Sequence, residues 1–226
     1  MKKISIAIDG PAGAGKSTVA RMLAQRLGYV YLDTGALYRT IAIAAKEAGI
    51  AADDAAGLKA LCARSKIRLV REGHIEYVEL NGRKVGNEIR TPEIGRLSSD
   101  VSKIPEVRAA LLDLQRGLAK EGGVVMEGRD IGTVVLPNAE LKFFLSASVD
   151  ERARRRWKEL QERGGQVSLQ KIKEEVLKRD KQDSERAISP LKKSKEAIEI
   201  DTTDHSVDEI VTKMYGIAKE KEGKHA

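Results

Sequence analysis

Ile4-Ser5-Ile6-Ala7-Ile8-Asp9 runs directly into Gly10-Pro11-Ala12-Gly13-Ala14-Gly15-Lys16-Ser17, and this stretch decides the fold. Isoleucines at 4, 6 and 8 make a short β-branched run that reads as a buried strand. The octapeptide after it matches G-x-x-x-x-G-K-[ST], in the place between strand and helix that the motif requires. Glycines let the backbone fold around an anion, so that successive N–H groups point inward. The positive end of a helix starting near Ser17 adds a favourable dipole. In that geometry Lys16 reaches the β and γ phosphates of a nucleoside triphosphate, and the Ser17 hydroxyl is placed to ligate Mg²⁺. A glycine turn without a ligand accounts for the glycines but not for a Lys-Ser pair in register with the helix start. Glycines at 10, 13 and 15 do not fit the dinucleotide pattern G-x-G-x-x-G.

Outward from this loop, Val19, Leu23 and Leu27 recur at helical spacing until Gly28. Tyr29 to Asp33 reads as a second strand, and Thr34-Gly35 opens a helix to about Ala48. Strand, loop, helix, strand, helix in that order argues for parallel βαβ winding in an α/β fold. The pattern then changes. Lys66 to Arg71 and Ile75 to Leu80 are strand-like, separated by Glu72-Gly73-His74, and Asn81-Gly82 signals a type I′ turn into Arg83 to Val85. This antiparallel meander is expected to be a β-rich insert at 64–90, with 1–63 and 91–226 forming the core. Helical patterns resume from Thr91, and Pro105 suits the start of a helix to about Lys120. Val124 to Met126 and Leu141 to Leu145 read as further core strands. Asp150 is expected to N-cap a basic helix ending at Gly164-Gly165, and Ser168 to start the next. Ala197 to Ile200 reads as a last strand and Val207 to Ile217 as a terminal helix with a polar tail.

The 226-residue length suits one substantial α/β domain with an elaboration. No apolar run is long enough to cross a bilayer, no signal-peptide pattern follows Met1-Lys2-Lys3, and the single Cys62 excludes an internal disulfide. A cytoplasmic location is expected. The net charge of +7 is confined: Glu151 to Lys195 holds 15 Lys/Arg against 8 Asp/Glu, and the rest carries 26 of each sign. Such a local excess points to one anionic ligand rather than to nucleic acid bound over the whole surface. Only 8 residues are Phe, Tyr or Trp, and no aromatic-rich RNA-binding motif is present.

Polar residues at the ends of strands supply candidates for a second substrate, because ligands of doubly wound sheets sit there. After the second strand come Thr34 and, one helical turn on, Arg39. By themselves they read equally well as a helix start and a surface residue. Glu127-Gly128-Arg129-Asp130 follows the strand Val124 to Met126, and an Arg-Asp pair on such a turn can clamp phosphate and read a donor group. Arg179, Asp183 and Arg186 share one helical face.

Taken together, GPAGAGKST (10–18), LDTGALYRTIA (32–42), GRDIGTVVLP (128–137) and RDKQDSERAISPL (179–191) closely resemble bacterial cytidylate kinases, as does the insert at 64–90. The resemblance spans nearly the whole chain. It implies a five-stranded parallel sheet flanked by helices, an insert on the nucleoside monophosphate side, a helical lid at about 150–166, and transfer of the γ-phosphoryl group of ATP to CMP and dCMP with Mg²⁺. By position it places Gly10, Pro11, Ala12, Gly13, Ala14, Gly15, Lys16, Ser17, Thr18 and Arg156 at ATP, with Ser17 on the metal. Thr34, Arg108, Asp130 and Arg186 match residues at the pyrimidine ring. Arg39 and Arg129 match arginines on the monophosphate and, with Lys16, form the expected catalytic set. Ser99, Arg179 and Asp183 match residues near the sugar. The family can carry serine at Thr34, which keeps the hydroxyl, and Asp at Glu127, which receives no role. The expected partners are ATP and CMP or dCMP, without nucleic acid or membrane, and the chain is expected to be a monomer.

The acceptor phosphate oxygen is already anionic at neutral pH, so no general base is needed. This agrees with histidines only at 74, 205 and 225, none in a motif. Catalysis then consists of positioning and charge stabilisation, and a lid bearing Arg152, Arg154, Arg155 and Arg156 would exclude water. Two alternatives remain at this point. One is a kinase of a small hydroxylated metabolite, similar to shikimate kinases, with Asp33 as base. The other is a nucleotide-dependent RNA-binding protein.

Overall fold

The computed structural model describes residues 3–72, 75–162 and 164–224. The chain divides into two compact units, one of residues 1–32 and 121–226, the other of 33–120.

The first unit is built on a five-stranded sheet of β1 (Ser5–Asp9), β2 (Val30–Asp33), β6 (Val124–Gly128), β7 (Leu141–Ser146) and β8 (Ile198–Asp201), in the order β2-β6-β1-β7-β8. β1 pairs in parallel with β6 on one side and β7 on the other. Its carboxyl end therefore lies where the strand order reverses, and this is where such sheets bind ligands. The expected buried strand is borne out: Ile4, Ile6 and Ile8, with Val125, Phe143 and Leu145, are buried against Val19 and Leu23 of α1 (Lys16–Leu27). Each such side chain stabilises the fold by roughly 1.5–3 kcal/mol through removal from water.

The terminal helix, α8 (Val207–Lys224), runs further than the apolar period predicts. Ile210, Val211, Met214 and Ala218 carry its buried face. Its polar tail is held by Glu222, a buried carboxylate that accepts from the Tyr29 hydroxyl while that hydroxyl accepts from the Ile4 amide at 3.0 Å. Burial and the Glu222 carboxylate push the Tyr29 phenol up to about 12, so it stays protonated and donating.

Two helices complete this unit, α6 (Val149–Glu162) and α7 (Leu169–Glu185), packed through Ala153, Ile172 and Val176. Ser168 caps α7, accepting from the Lys171 amide at 3.3 Å. The cap of α6 is Ser148, not Asp150: the Ser148 hydroxyl accepts from Glu151 N at 3.2 Å. Asp150 lies inside the first turn, where its charge still favours the helix dipole.

The second unit holds α2 (Thr34–Glu47), α3 (Ala55–Arg64), α4 (Pro92–Val101), α5 (Pro105–Ala119) and a three-stranded antiparallel sheet of β3 (Ile67–Glu72), β4 (Ile75–Leu80) and β5 (Arg83–Val85). Asn81 and Gly82 both take positive φ, 53° and 81°, as a type I′ turn requires. Of the expected turn at Glu72-Gly73-His74, Gly73 and His74 lie outside the described residues. Val78, Leu80 and Val85 of the small sheet share one core with Leu37, Ile41, Leu58, Val107 and Leu111 of the surrounding helices. Asp33, Asp54 and Thr91 cap α2, α3 and α4.

Candidate active site

Because β1 ends at Asp9, the glycine loop begins at the centre of the sheet's carboxyl edge. Gly10 sits at φ 149°, and a Cβ there would lie 2.0 Å from the Leu145 carbonyl oxygen, so only glycine allows the loop to pass β7. Gly13 and Gly15 are left-handed, at φ 78° and 83°, which turns the intervening amides toward the helix start. Lys16 is 6% exposed and donates to the Pro11 carbonyl at 2.7 Å, folding its ammonium back over the loop. Burial, followed by the positive charge of Arg129, holds its pKa below the ordinary lysine value, and Glu127 opposes that shift. An incoming polyphosphate would supply the negative charge that restores a fully charged ammonium.

On the neighbouring strand β6, the turn Arg129-Asp130 leads into a π-helical turn, Ile131–Val135, marked by the bonds Val135 N to Asp130 O and Leu136 N to Ile131 O. Helix α7 brings Arg179 and Asp183 to this turn, whereas Arg186, expected on the same helical face, is the extended residue just after the helix, at φ −62° and ψ 139°. Arg129 Nε donates to Asp183 at 2.8 Å, Arg179 Nε lies 4.0 Å from the same carboxylate, and Arg186 Nη2 lies 3.5 Å from Asp130. Burial works against the Asp183 charge, but Arg129 and Arg179 overcome it and hold its pKa below the usual carboxylate range. Arg129 is itself buried, yet Asp183 holds its pKa above the ordinary arginine value. Six of the expected residues, Lys16, Arg129, Asp130, Arg179, Asp183 and Arg186, thus form one electrostatic group within the first unit.

Helix α6 departs from the simple picture of four arginines on a lid. Arg152 is buried and makes four bonds: to Ala147 O at 3.0 Å, to Ala12 O of the glycine loop at 3.2 Å, and to both Asp180 oxygens at 2.9 and 2.6 Å. It is a strut between the loop and α7. Arg155 is held by Glu151 and Thr202, whereas Arg156 is half-buried and pairs with Glu159 at 2.8 Å.

In the second unit, Asp33 rather than Thr34 caps α2, accepting from Ala36 N at 3.0 Å. Thr34 is the first helical residue and is buried. Arg39 pairs with Asp33 at 2.6 Å. Asp33, once a candidate base, is therefore engaged twice. Arg108 is buried, donates to Ser102 O at 3.2 Å and stacks 5.5 Å from the Tyr38 ring centroid. Ser99 lies half-buried on α4. His205 is exposed, and His74 and His225 lie outside the described residues.

Two carboxylates beside Lys16 were given no role from sequence. Glu127 is buried and accepts from the Tyr31 hydroxyl at 2.7 Å. Asp9 is buried and accepts from the Ile131 and Gly132 amides at 2.7 and 2.8 Å. Burial raises Asp9 from 3.8 to about 6, with Asp130 adding to the rise and the two amides and Lys16 opposing it. A carboxyl raised on folding contributes stability below its unfolded pKa that is lost as pH rises through the folded value. The span from 3.8 to about 6 corresponds to ~3 kcal/mol. The stability advantage of the wild type over Asp9→Asn, measured by urea unfolding, is therefore expected to shrink by ~3 kcal/mol between about pH 3 and about pH 8. A difference independent of pH would contradict this assignment.

A parallel sheet with a phosphate loop at its reversal point, a conjoined cluster of arginines and carboxylates, and a basic helix alongside define a P-loop phosphotransferase. The model of the family described as cytidylate kinase matches residues 6–220. A cytidylate kinase from Geobacter sulfurreducens is 52% identical over 96% of this chain and 93% of its own length, and one from Bacillus pumilus is 50% identical over 96% of each. Among solved structures, a gluconokinase from Sinorhizobium meliloti 1021 shares the fold at TM-score 0.50 and 17% identity, covering 99% of this chain and 97% of that one. The chain belongs to the cytidylate kinase family, and it is an ATP-dependent nucleoside monophosphate kinase.

Proposed function

We propose that the chain transfers the γ-phosphoryl group of ATP to CMP and dCMP, giving ADP with CDP or dCDP. The observation that carries this is the grouping of Lys16 with Arg129, Asp130, Asp183 and Arg186 within one unit, beside a glycine loop shaped for a triphosphate. Gly10 to Thr18 and Arg156 of α6 bind ATP. Arg129 holds the acceptor phosphate, Asp130 and Arg186 read the base, and Arg179 and Asp183 hold the sugar. For the second unit the same family pattern proposes Arg39 on phosphate, Thr34 and Arg108 on the base and Ser99 on the sugar, with 64–90 as part of the acceptor-side elaboration. Residues 150–166 act as the lid, while Arg152 stays in place as its strut.

Among the described residues no three metal-ligating side chains come together. That fits Mg²⁺, which retains water and leans on phosphate oxygens, with the exposed Ser17 hydroxyl at the start of α1 as the protein's ligand. When bound, the ion neutralises charge on the phosphates. Lys16 and Arg129 stabilise the charge spreading over the transferred group, and the lid excludes water. Among the described residues no helix is long and apolar enough to cross a membrane. A cytoplasmic monomer acting on these small substrates is the accompanying proposal. Rates of ADP release with ATP and each of CMP, dCMP, UMP, AMP and GMP test the assignment, with CMP and dCMP expected to be the fastest acceptors. A faster rate with AMP or GMP would contradict it.

A further inference from the structure

Asp9 takes no part in the chemistry above, yet it is one of the most constrained side chains in the first unit. It is 4% exposed and stands one residue before the glycine loop, at the last paired position of β1, opposite Gly128 of β6. Its two carboxylate oxygens each accept one amide, Oδ1 from Ile131 at 2.7 Å and Oδ2 from Gly132 at 2.8 Å. Those are the first two amides of the π-helical turn, which have no acceptor inside the turn and must find one elsewhere. Single π turns of this kind occur often at functional sites. Here the turn begins at the residue after Asp130, whose own backbone, at φ −145° and ψ 25°, lies outside regular structure.

The space around the contact is equally specific. A Cβ on Gly132 would lie 3.3 Å from Asp9 Oδ2 and 3.2 Å from Lys142 Cδ, so a side chain there would press on the carboxylate by a few tenths of an ångström. A buried carboxylate next to Asp130 is costly, and an uncharged residue would pack there more cheaply. Asparagine cannot replace it without loss. Its single carbonyl oxygen accepts one amide, and its NH₂ then faces the other amide donor to donor.

We infer that Asp9 is a positioning residue for the acceptor nucleotide: by clamping the Ile131 and Gly132 amides it fixes the Arg129-Asp130 turn to the strand that bears the phosphate loop. This rests on the reading of Arg129 and Asp130 as contacts to CMP. β1 is paired on both sides, so its ladder and the glycine loop keep their supports when the clamp is weakened. The turn after β6 loses its fixed point. Displacement of a binding group by about 1 Å costs on the order of a hundredfold in rate.

The test uses the full chain and the variants Asp9→Asn, Gly132→Ala and Asp130→Asn. Gly132→Ala strains the same clamp from its other side and carries the test if Asp9→Asn does not fold. KM and kcat are measured for CMP and UMP at saturating ATP, and KM for ATP at saturating CMP. For Asp9→Asn and Gly132→Ala, kcat/KM for CMP is expected to fall by about tenfold to a hundredfold, with the CMP-to-UMP preference reduced and KM for ATP within about twofold of wild type. A purely structural Asp9 would lower the melting temperature and leave the CMP constants and the preference untouched, which overturns the inference. So does an ATP affinity that falls as much as CMP use, because Asp9 would then serve the phosphate loop. If Asp130→Asn loses CMP use while the other two variants keep it, the inference is overturned and the base reading stands. An unaltered Asp130→Asn removes the base reading first and the inference with it.

Discussion

Lys16→Ala is expected to lower kcat for phosphoryl transfer by about a thousandfold or more while leaving the fold intact. The lysine's hydrogen bond is to the Pro11 carbonyl within its own loop. Its removal leaves the Pro11 carbonyl one donor short, a loss of about 1 kcal/mol in stability. The transition state loses the cation proposed for the β and γ phosphates. The loss should appear in kcat rather than in KM for CMP, because the residues proposed above for the acceptor do not include Lys16. Circular dichroism and urea unfolding establish that the variant is folded. Turnover near the wild-type value in that folded variant would contradict the role of the loop.

The second large effect concerns the base. Cytosine offers an exocyclic amino donor where uracil offers a carbonyl acceptor, and an ionised carboxylate can only accept. Asp130 is 5% exposed and has Arg186 Nη2 at 3.5 Å. Sites built around a buried hydrogen bond reject the wrong group by as much as ~10⁴. Asp130→Asn offers both donor and acceptor, and is expected to lower kcat/KM for CMP by about a hundredfold with a much smaller change for UMP. If Asp130 served only to pair with Arg186 and hold the turn, both substrates would lose equally. An unchanged ratio of the two kcat/KM values would move base recognition to Thr34 and Arg186.

Legibility from sequence tracked how locally each feature is determined. The phosphate loop was readable because one contiguous octapeptide contains its glycines, its lysine and its helix start. The strands of both sheets were readable because alternation or β-branched runs mark them, and the Asn81-Gly82 turn because only residues tolerant of positive φ occupy it. The π-helical turn at Ile131–Val135 was not readable: its β-branched residues suggest a strand, and the group that holds its first amides is Asp9, more than a hundred residues earlier. Arg152 illustrates the same limit. Its side chain is of the type expected on a mobile lid, but Asp180, 28 positions on, and the Ala12 carbonyl convert it into a buried strut. The α3 helix passed unmarked because Gly57 and a run of alanines weaken its period, although Asp54 supplies its cap.

The central claim is that the phosphoryl group lost by ATP is gained by a cytidine monophosphate. Incubation of the chain with Mg²⁺, γ-labelled ATP and an equimolar mixture of CMP, UMP, AMP and shikimate, followed by separation of the products, measures this directly. Label is expected to appear chiefly in CDP, at a rate matching ADP release. Label accumulating chiefly in ADP formed from AMP, in a phosphorylated alcohol, or as free phosphate without CDP would contradict the account.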